Sequence, residues 1–291
     1  MKTSISISKI SPPQLPTILY RSRLLTLLKN NQDKKLILIL GQAAQGKTTL
    51  FASYVQTSEI HYAWINLGQS DSDPINLFHL IVQSLQHVLK EIDLSPLLYE
   101  TIGMARWTSV LSLYRKCADF ISKNVLRPVQ LVFNGLDCLF HDDLPFQCLQ
   151  VLMENLPPNV HLIMLSRGTP PLSFEFQHLK IGQEAFILSN EDLAFKQQEV
   201  KEFFQRVKKI SLDDDQIRKI HAATEGWAGG LILISEYLLR LSSGLRKKFI
   251  VQELPPTLKS YPDGSTIRRV VSEIDGSLFW QRDVQRSPHG L

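Results

Sequence analysis

The sequence predicts an α/β fold in which a parallel sheet lies between two layers of helices and is followed by a small helical subdomain. Two observations support this prediction. Short apolar segments alternate with longer segments that have helical spacing of apolar residues, and this alternation is typical of a parallel sheet with helical crossovers. Beyond residue 188 the strand pattern ends, whereas helical spacing continues to residue 241.

Each predicted strand is short, apolar and followed by a turn, as expected for strands that are covered on both faces. The four predicted strands are residues 36–40, 63–67, 129–133 and 161–166. The helices expected between them are 47–57, 76–90, 107–123 and 146–155, which are long enough for crossover connections. The helices expected after the sheet are 197–207, 213–224 and 229–241.

Composition and charge exclude several classes of protein. The chain has 291 residues, of which 44% are hydrophobic and 21% charged, as in an ordinary globular protein of one or two domains. Its net charge of +4 is too small to indicate nucleic-acid binding by itself. The three cysteines lack the spacing of a zinc site or a disulfide framework. Because the sequence contains no long apolar run and no secretion signal, we expect a cytoplasmic protein without a membrane partner.

Residues 41–48 carry the clearest chemical signal. They read G-Q-A-A-Q-G-K-T and fit the pattern G-x-x-x-x-G-K-[ST] between a predicted strand and a predicted helix. In this motif, backbone N–H groups and the helix N-terminus hold a polyphosphate, the lysine reaches the β- and γ-phosphates, and the threonine hydroxyl binds Mg²⁺. The expected phosphate-binding residues are Gly41, Ala44, Gln45, Gly46, Lys47, Thr48 and Thr49. The sequence therefore predicts a P-loop NTPase with a three-layer parallel sheet.

The second part of such a site departs from the usual chemistry. A carboxylate is expected after the strand 129–133 to hold Mg²⁺, but this position is occupied by Asn134, followed by Gly135. An amide brings no negative charge to a divalent cation, so we expect a weakened Mg²⁺ site made of Thr48, Asn134 and Asp137. Asp137 is the candidate carboxylate if a turn at Gly135 brings it back, and otherwise it is a solvated loop residue. No other catalytic residue is assigned, and hydrolysis is expected to be impaired.

A series of further motifs occurs in a fixed order along residues 10–241. The motifs are KISPP at 9–13, YRSRLL at 20–25, AWINL at 63–67, SDSDP at 70–74, LSR at 165–167, LAF at 193–195 and GWAGGL at 226–231. In this order the chain resembles the N-terminal NTPase region of MalT-like, ATP-dependent LuxR-type transcriptional regulators. These are STAND-class P-loop NTPases, signal transduction ATPases with numerous domains. The resemblance implies an AAA/STAND-like sheet with a helical lid, ATP or ADP as ligand, and a nucleotide-dependent switch.

The resemblance also implies roles for residues outside the phosphate loop. Arg167 takes the position of the family's γ-phosphate sensor, at the end of the fourth predicted strand. Tyr20, Arg21 and Arg23 fall in the segment that lies near the nucleotide base, and Trp227 falls in the turn between lid helices that approaches adenine. Local sequence leaves three alternatives open: a surface role for the sensor arginine, helix capping for the other two arginines, and a core position for the tryptophan.

The resemblance divides the chain into four parts. They are a lead segment with the nucleotide-proximal motif (1–30), the P-loop NTPase α/β domain (31–188), the helical lid subdomain (189–245) and an irregular, truncated tail (246–291). Family members continue to a DNA-binding helix-turn-helix, for which this sequence has no signal. We therefore expect no direct DNA binding, and a protein partner or self-association as the other interaction besides nucleotide.

Three interpretations of function follow. The first is a nucleotide switch with weak or absent hydrolysis. The second is a non-catalytic nucleotide-binding or interaction remnant of a truncated regulator. The third is a phosphoryl-transfer enzyme, but the sequence has no mark of a catalytic base or an acceptor pocket, and its eight histidines are scattered without metal spacing.

Overall fold

The computed structural model of the protein describes residues 6–101, 108–248 and 250. Within these residues the chain forms two compact units. The first runs from the start of the described residues to Gly41 and from Gly46 to Leu193. The second contains Gln42–Gln45, which are part of the phosphate loop, and the described residues from Ala194 onward.

The first unit contains a sheet of five parallel strands in the order β2-β3-β4-β1-β5. The strands are β1 (Leu36–Leu40), β2 (His61–Asn66), β3 (Val129–Asn134), β4 (Val160–Ser166) and β5 (Ala185–Leu188). The four strands predicted from the sequence are confirmed to within three residues at each end. The fifth, at the edge of the sheet beside β1, was not predicted.

The helices of the first unit precede, connect and follow these strands. They are α1 (Ser22–Asn30), α2 (Lys47–Thr57), α3 (Pro74–Val88), α4 (Ser95–Tyr99), α5 (Thr108–Asn124), α6 (Leu144–Asn155), α7 (Gln177–Ile181) and α8 (Asn190–Leu193). Short 3₁₀ segments lie at Ile7–Lys9, Gln69–Ser72 and Leu136–Leu139. The predicted start of the fifth helix, Trp107, lies outside the described residues.

Alternate residues of the strands point to opposite faces of the sheet and build two separate apolar clusters. On one face, residues such as Leu36 and Leu38 pack with buried side chains of α3, α5 and α6. On the other face, residues such as Ile37 and Ile39 pack with α1 and α2. Because apolar side chains occupy both faces, the strands are mostly apolar in sequence, with Gln130 in β3 and His161 in β4 among the buried polar exceptions. The three-layer α/β fold predicted from the sequence is confirmed.

The second unit is helical in the part that the structure describes. Its helices are α9 (Gln197–Glu202), α10 (Asp214–Thr224), α11 (Ala228–Arg240) and α12 (Ser243–Lys248), with a π-helical turn at Phe203–Val207 after α9. Most of the predicted tail, including residues 251–291, lies outside the described residues, and the four-part division of the chain stays a prediction. Among the described helices, none combines the length and apolar character needed to span a bilayer.

Candidate functional site

The phosphate loop connects β1 to α2 at the carboxyl edge of the sheet. Gly46 precedes the first turn of α2 in a left-handed conformation, with φ of 89°, which glycine adopts at no steric cost. Ala44 has a φ of 55°, a conformation that alanine rarely adopts and that is typical of strained loops at functional sites. The first turn of α2, which is described in full, contains no acidic residue. Its N–H groups and positive dipole end are therefore suited to an anion.

Lys47 is the first residue of α2 and folds back over the loop. Its Nζ donates a hydrogen bond of 2.5 Å to the carbonyl of Gly41. Burial lowers the pKa of Lys47 to about 8; the negative charge of Asp137 opposes this shift and the positive charge of Arg167 adds to it. The loop thus holds a desolvated ammonium group, which is well suited to bind phosphate.

Thr48 and Asn134, two residues of the metal site predicted from the sequence, lie within hydrogen-bond distance of each other. The Thr48 hydroxyl donates a hydrogen bond of 2.8 Å to Oδ1 of Asn134, at the end of β3. The hydroxyl uses its hydrogen in this bond and not its oxygen lone pairs. A neutral amide occupies the position at which a P-loop NTPase usually has a carboxylate. In the same loop, Ala44 and Thr49 are exposed and Gln45 is buried.

Asn66 is a residue of this site that sequence reasoning missed. Its Oδ1 accepts hydrogen bonds from Asn134 Nδ2 at 2.9 Å and from Trp64 Nε1 at 2.8 Å. Its Nδ2 donates to the carbonyls of Ser8 and Ser11 at 2.7 and 2.8 Å. In sequence this residue fell inside the predicted strand 63–67, whereas in the structure β2 ends at Asn66, which pairs with Asn134 of β3.

Asp137 lies on the 3₁₀ turn that follows Gly135. The glycine has a φ of 84°, and this left-handed turn brings the chain back toward β4. The Asp137 carboxylate accepts a hydrogen bond of 3.1 Å from the backbone N–H of Arg167 and lies 3.4 Å from its guanidinium Nε. Of the two alternatives for Asp137, the structure has the turned-back one, with the side chain 20% exposed.

Arg21 and Arg23, predicted to lie near the base, bind carbonyl groups of α8. Arg21 NH1 donates to the carbonyl of Leu193 at 2.7 Å, and Arg23 NH2 donates to that of Asp192 at 3.0 Å. Arg21 is buried, whereas Tyr20 is half exposed. These two arginines tie the start of α1 to α8, the last helix of the first unit. Their role toward a nucleotide base stays a prediction.

Trp227 lies in the turn between α10 and α11, within the second unit. Its indole Nε1 donates a hydrogen bond of 3.0 Å to the carbonyl of Ala43 in the phosphate loop. The ring packs over Gly229, where an added Cβ would lie 2.6 Å from the indole. The tryptophan is 9% exposed, so it holds the loop backbone from a largely buried position.

The donor set for a divalent cation is limited. Thr48 and Asn134 offer neutral oxygens, and Asp137 is engaged by Arg167. Within the described ranges, no group of three or more histidine, cysteine, aspartate or glutamate side chains could hold a metal ion. The residues that could contribute to an Mg²⁺ site are therefore Thr48 and Asn134, through neutral oxygens, and Asp137, through its carboxylate.

Sequence comparison identifies a set of similar regulators. The HTH-type transcriptional regulator MalT of Serratia proteamaculans (strain 568) is 27% identical over 234 residues, which are 78% of this chain and 25% of that protein. MalT of Yersinia enterocolitica is 28% identical over 235 residues, and MalT of Vibrio cholerae is 25% identical over 233, with the same coverage. The chain is thus similar to the N-terminal quarter of MalT regulators and spans about a quarter of their length. No protein-family model matches the sequence.

Solved structures share the fold. A signal transduction ATPase with numerous domains, with a tetratricopeptide repeat sensor, from Pyrococcus horikoshii superposes with a TM-score of 0.50 at 17% identity, over 84% of this chain and 34% of that chain. A Walker-type ATPase of Pyrococcus abyssi gives a TM-score of 0.51 at 16% identity, over 92% and 76% of the two chains. The chain therefore has a P-loop NTPase fold of the AAA/STAND type, as predicted from the sequence.

Proposed function

We propose that this chain is an ATP- and ADP-binding module with weak or absent hydrolysis, and that the bound nucleotide switches the state of its helical part. The observation that carries the proposal is the phosphate loop. Gly46 is left-handed, Lys47 is desolvated over the loop, and the first turn of α2 is free of acidic residues. Each of these features favours a polyphosphate anion at this loop.

Weak hydrolysis follows from the residues at the carboxyl ends of the neighbouring strands. β2 and β3 end in Asn66 and Asn134, whose amides cannot take a proton from water. The nearby carboxylate of Asp137 accepts a hydrogen bond of 3.1 Å from the backbone N–H of Arg167. Among the described residues at these strand ends, no general base is placed as it is in efficient NTPases. The same amides support the alternative of a nucleotide-binding remnant without turnover.

A switch needs a contact that differs between ATP and ADP. Arg167 offers one, because its guanidinium is 67% exposed and is paired only loosely with Asp137, at 3.4 Å. A γ-phosphate would compete for this guanidinium with two charge-assisted hydrogen bonds, whereas ADP would leave the pair with Asp137 intact. The Trp227 contact to Ala43 would report the state of the loop to α10 and α11.

The wider assignments belong to the same proposal. Residues 189–245 would act as the lid, 1–30 as the lead segment and 246–291 as a tail. Tyr20, Arg21, Arg23 and Trp227 would face the nucleotide base. The similarity to MalT proteins, which are named as transcriptional regulators, supports a place in signal transduction, with a protein partner or a second copy of the chain as the reader of the nucleotide state.

The test is the affinity for ATP of the native chain and two lysine variants. Lys47→Ala removes the ammonium group over the loop and should weaken ATP binding at least about a hundredfold, since a charge-assisted phosphate contact contributes roughly 3 kcal/mol. Lys123→Ala is the matched control, because Lys123 lies in the last turn of α5, which leads into the amino end of β3 and not into the phosphate loop. Equal affinities of the three proteins would refute the phosphate-loop assignment, and rapid phosphate release by the native chain would refute weak hydrolysis.

A further inference from the structure

A chain of side-chain hydrogen bonds leads from the phosphate loop to the N-terminal segment. It runs from the Thr48 hydroxyl to Asn134, from Asn134 to Asn66, and from Asn66 to the carbonyls of Ser8 and Ser11. The spacings lie between 2.7 and 2.9 Å, within the range of well-formed hydrogen bonds. Each amide in this series of hydrogen bonds can satisfy its partners in one orientation only. That orientation is fixed at the end of the series where Asn66 contacts the N-terminal segment.

The orientation of Asn66 is set by groups that have a single hydrogen-bonding role. The indole N–H of Trp64 can only donate, so the Asn66 atom at 2.8 Å must be oxygen. The backbone carbonyls of Ser8 and Ser11 can only accept, so the atom that faces them must be nitrogen. Rotating the amide by half a turn would break all three bonds.

The orientation of Asn134 follows from that of Asn66. The Asn66 oxygen faces Asn134, so Asn134 must present its nitrogen there, at 2.9 Å. Its own oxygen then points to Thr48. The threonine hydroxyl can either donate or accept and does not decide the matter. A carboxylate at position 134 would instead face the Asn66 oxygen with a second acceptor.

We propose that Asn66 is a positioning residue that holds the Asn134 carboxamide with its oxygen toward Thr48, and that this arrangement selects an amide over a carboxylate beside the phosphate loop. For its effect on ligand binding, this inference rests on the proposed nucleotide function. The neutral metal position is then a property of two matched residues. Asn134→Asp alone would restore the charge of an ordinary Mg²⁺ site only by placing an ionised oxygen against the Asn66 oxygen.

An ionised carboxyl at position 134 would put two acceptor oxygens against each other, where the native chain has the Asn134 N–H donating to the Asn66 oxygen at 2.9 Å. The replacement should therefore cost stability only while Asn66 presents its oxygen to position 134.

The first experiment measures thermal unfolding without nucleotide. It compares the native chain, Asn134→Asp, Asn66→Ser and the double variant at pH 8. In the native background, Asn134→Asp should lower the midpoint by about 3 °C or more. In the Asn66→Ser background, the same replacement should lower it by less than about 1 °C, because the opposing oxygen is gone.

Equal losses in both backgrounds at pH 8 would overturn the proposal, since Asn66 would then not control position 134. Asn66→Thr is a second variant for the same cycle, because it also removes the amide oxygen and suits the end of a strand. If Asn66→Ser is recovered unfolded, the cycle is measured with Asn66→Thr alone.

The second experiment measures ATP affinity of the four proteins with Mg²⁺ and with EDTA. Asn134→Asp should raise the ratio of the two affinities less than about threefold in the native background, and about tenfold or more in the Asn66→Ser background. A gain of the same size in both would contradict the proposal. If the native chain binds no ATP, the proposed function fails, while the unfolding cycle still decides the orientation of Asn134.

Discussion

Lys47 has its chemistry set by burial rather than by a single partner. Removal from water lowers its pKa to about 8; the negative charge of Asp137 raises the pKa, and the positive charge of Arg167 lowers it further. About half of the molecules without ligand therefore carry a neutral lysine near pH 8, whereas an exposed lysine would be fully charged. Because a polyphosphate binds the charged form, proton uptake accompanies binding at higher pH.

This pKa predicts a fall in ATP affinity as the pH rises. Between pH 7 and pH 9 the charged fraction of Lys47 drops about tenfold, so the affinity should drop by about the same factor. The terminal phosphate is already ionised across this range and adds little. Titrations at each pH give the profile, and Lys47→Arg, which stays charged, is the control for its slope. Parallel slopes for the two proteins would show that Lys47 does not titrate here.

Among individual residues, the sequence predicted those members of the candidate site that belong to one local motif. Lys47 and Thr48 lie in the phosphate loop, whose spacing alone identifies them. Asn66 was not predicted, because its role comes from a neighbour 68 positions away and from carbonyl groups near the N-terminus. Hydrogen-bond polarity between distant side chains leaves no pattern in a single sequence.

Among the elements, the turn between α10 and α11 requires the left-handed backbone conformation at two successive residues. Glu225 and Gly226 both have positive φ angles, of 48° and 76°. A Cβ added at Gly226 would lie 2.3 Å from the carbonyl oxygen and 2.6 Å from the backbone nitrogen of Phe195. That nitrogen donates a hydrogen bond of 2.8 Å to the Gly226 carbonyl. The segments around Phe195 and Gly226 therefore cannot move apart without breaking this bond.

Gly226→Ala is therefore expected to destabilise the helical unit by about 3 kcal/mol or more, through a backbone clash and an unfavourable φ. Gly244→Ala is the matched control, since a Cβ at Gly244 meets nothing within 4 Å. In that helix alanine should be neutral or stabilising by up to about 1 kcal/mol. Urea unfolding of both variants gives the comparison, and a loss of less than 1 kcal/mol for Gly226→Ala would contradict the described turn.

Elements with strong apolar patterns were predicted, and short ones were not. β1 to β4 are largely apolar segments of five to seven residues; β1, β3 and β4 are buried along most of their length and β2 along half of it. β5 has only four residues, lies at the edge of the sheet and has one fully buried side chain, Leu188. An apolar run of four residues is too short for its sequence pattern to distinguish a strand from a loop. Its pairing with β1 is a tertiary property.

On the scale of the whole molecule, the alternation of strands and helices was enough to predict the three-layer sheet, because each face of the sheet carries an apolar cluster. The grouping of Gln42–Gln45 with the helical unit could not be predicted, since it depends on spatial clustering rather than sequence order.

Calorimetric titration of the native chain with ATP and with ADP, each with Mg²⁺ and with EDTA, tests the central claim most directly. A phosphate loop with a neutral metal position predicts micromolar binding of both nucleotides, different affinities for ATP and ADP, and a change of less than about tenfold on removal of Mg²⁺. Absence of heat with either nucleotide would contradict the nucleotide site. Strict dependence of binding on Mg²⁺ would contradict the weakened Mg²⁺ site that we infer from the neutral side chains of Asn134 and Asn66.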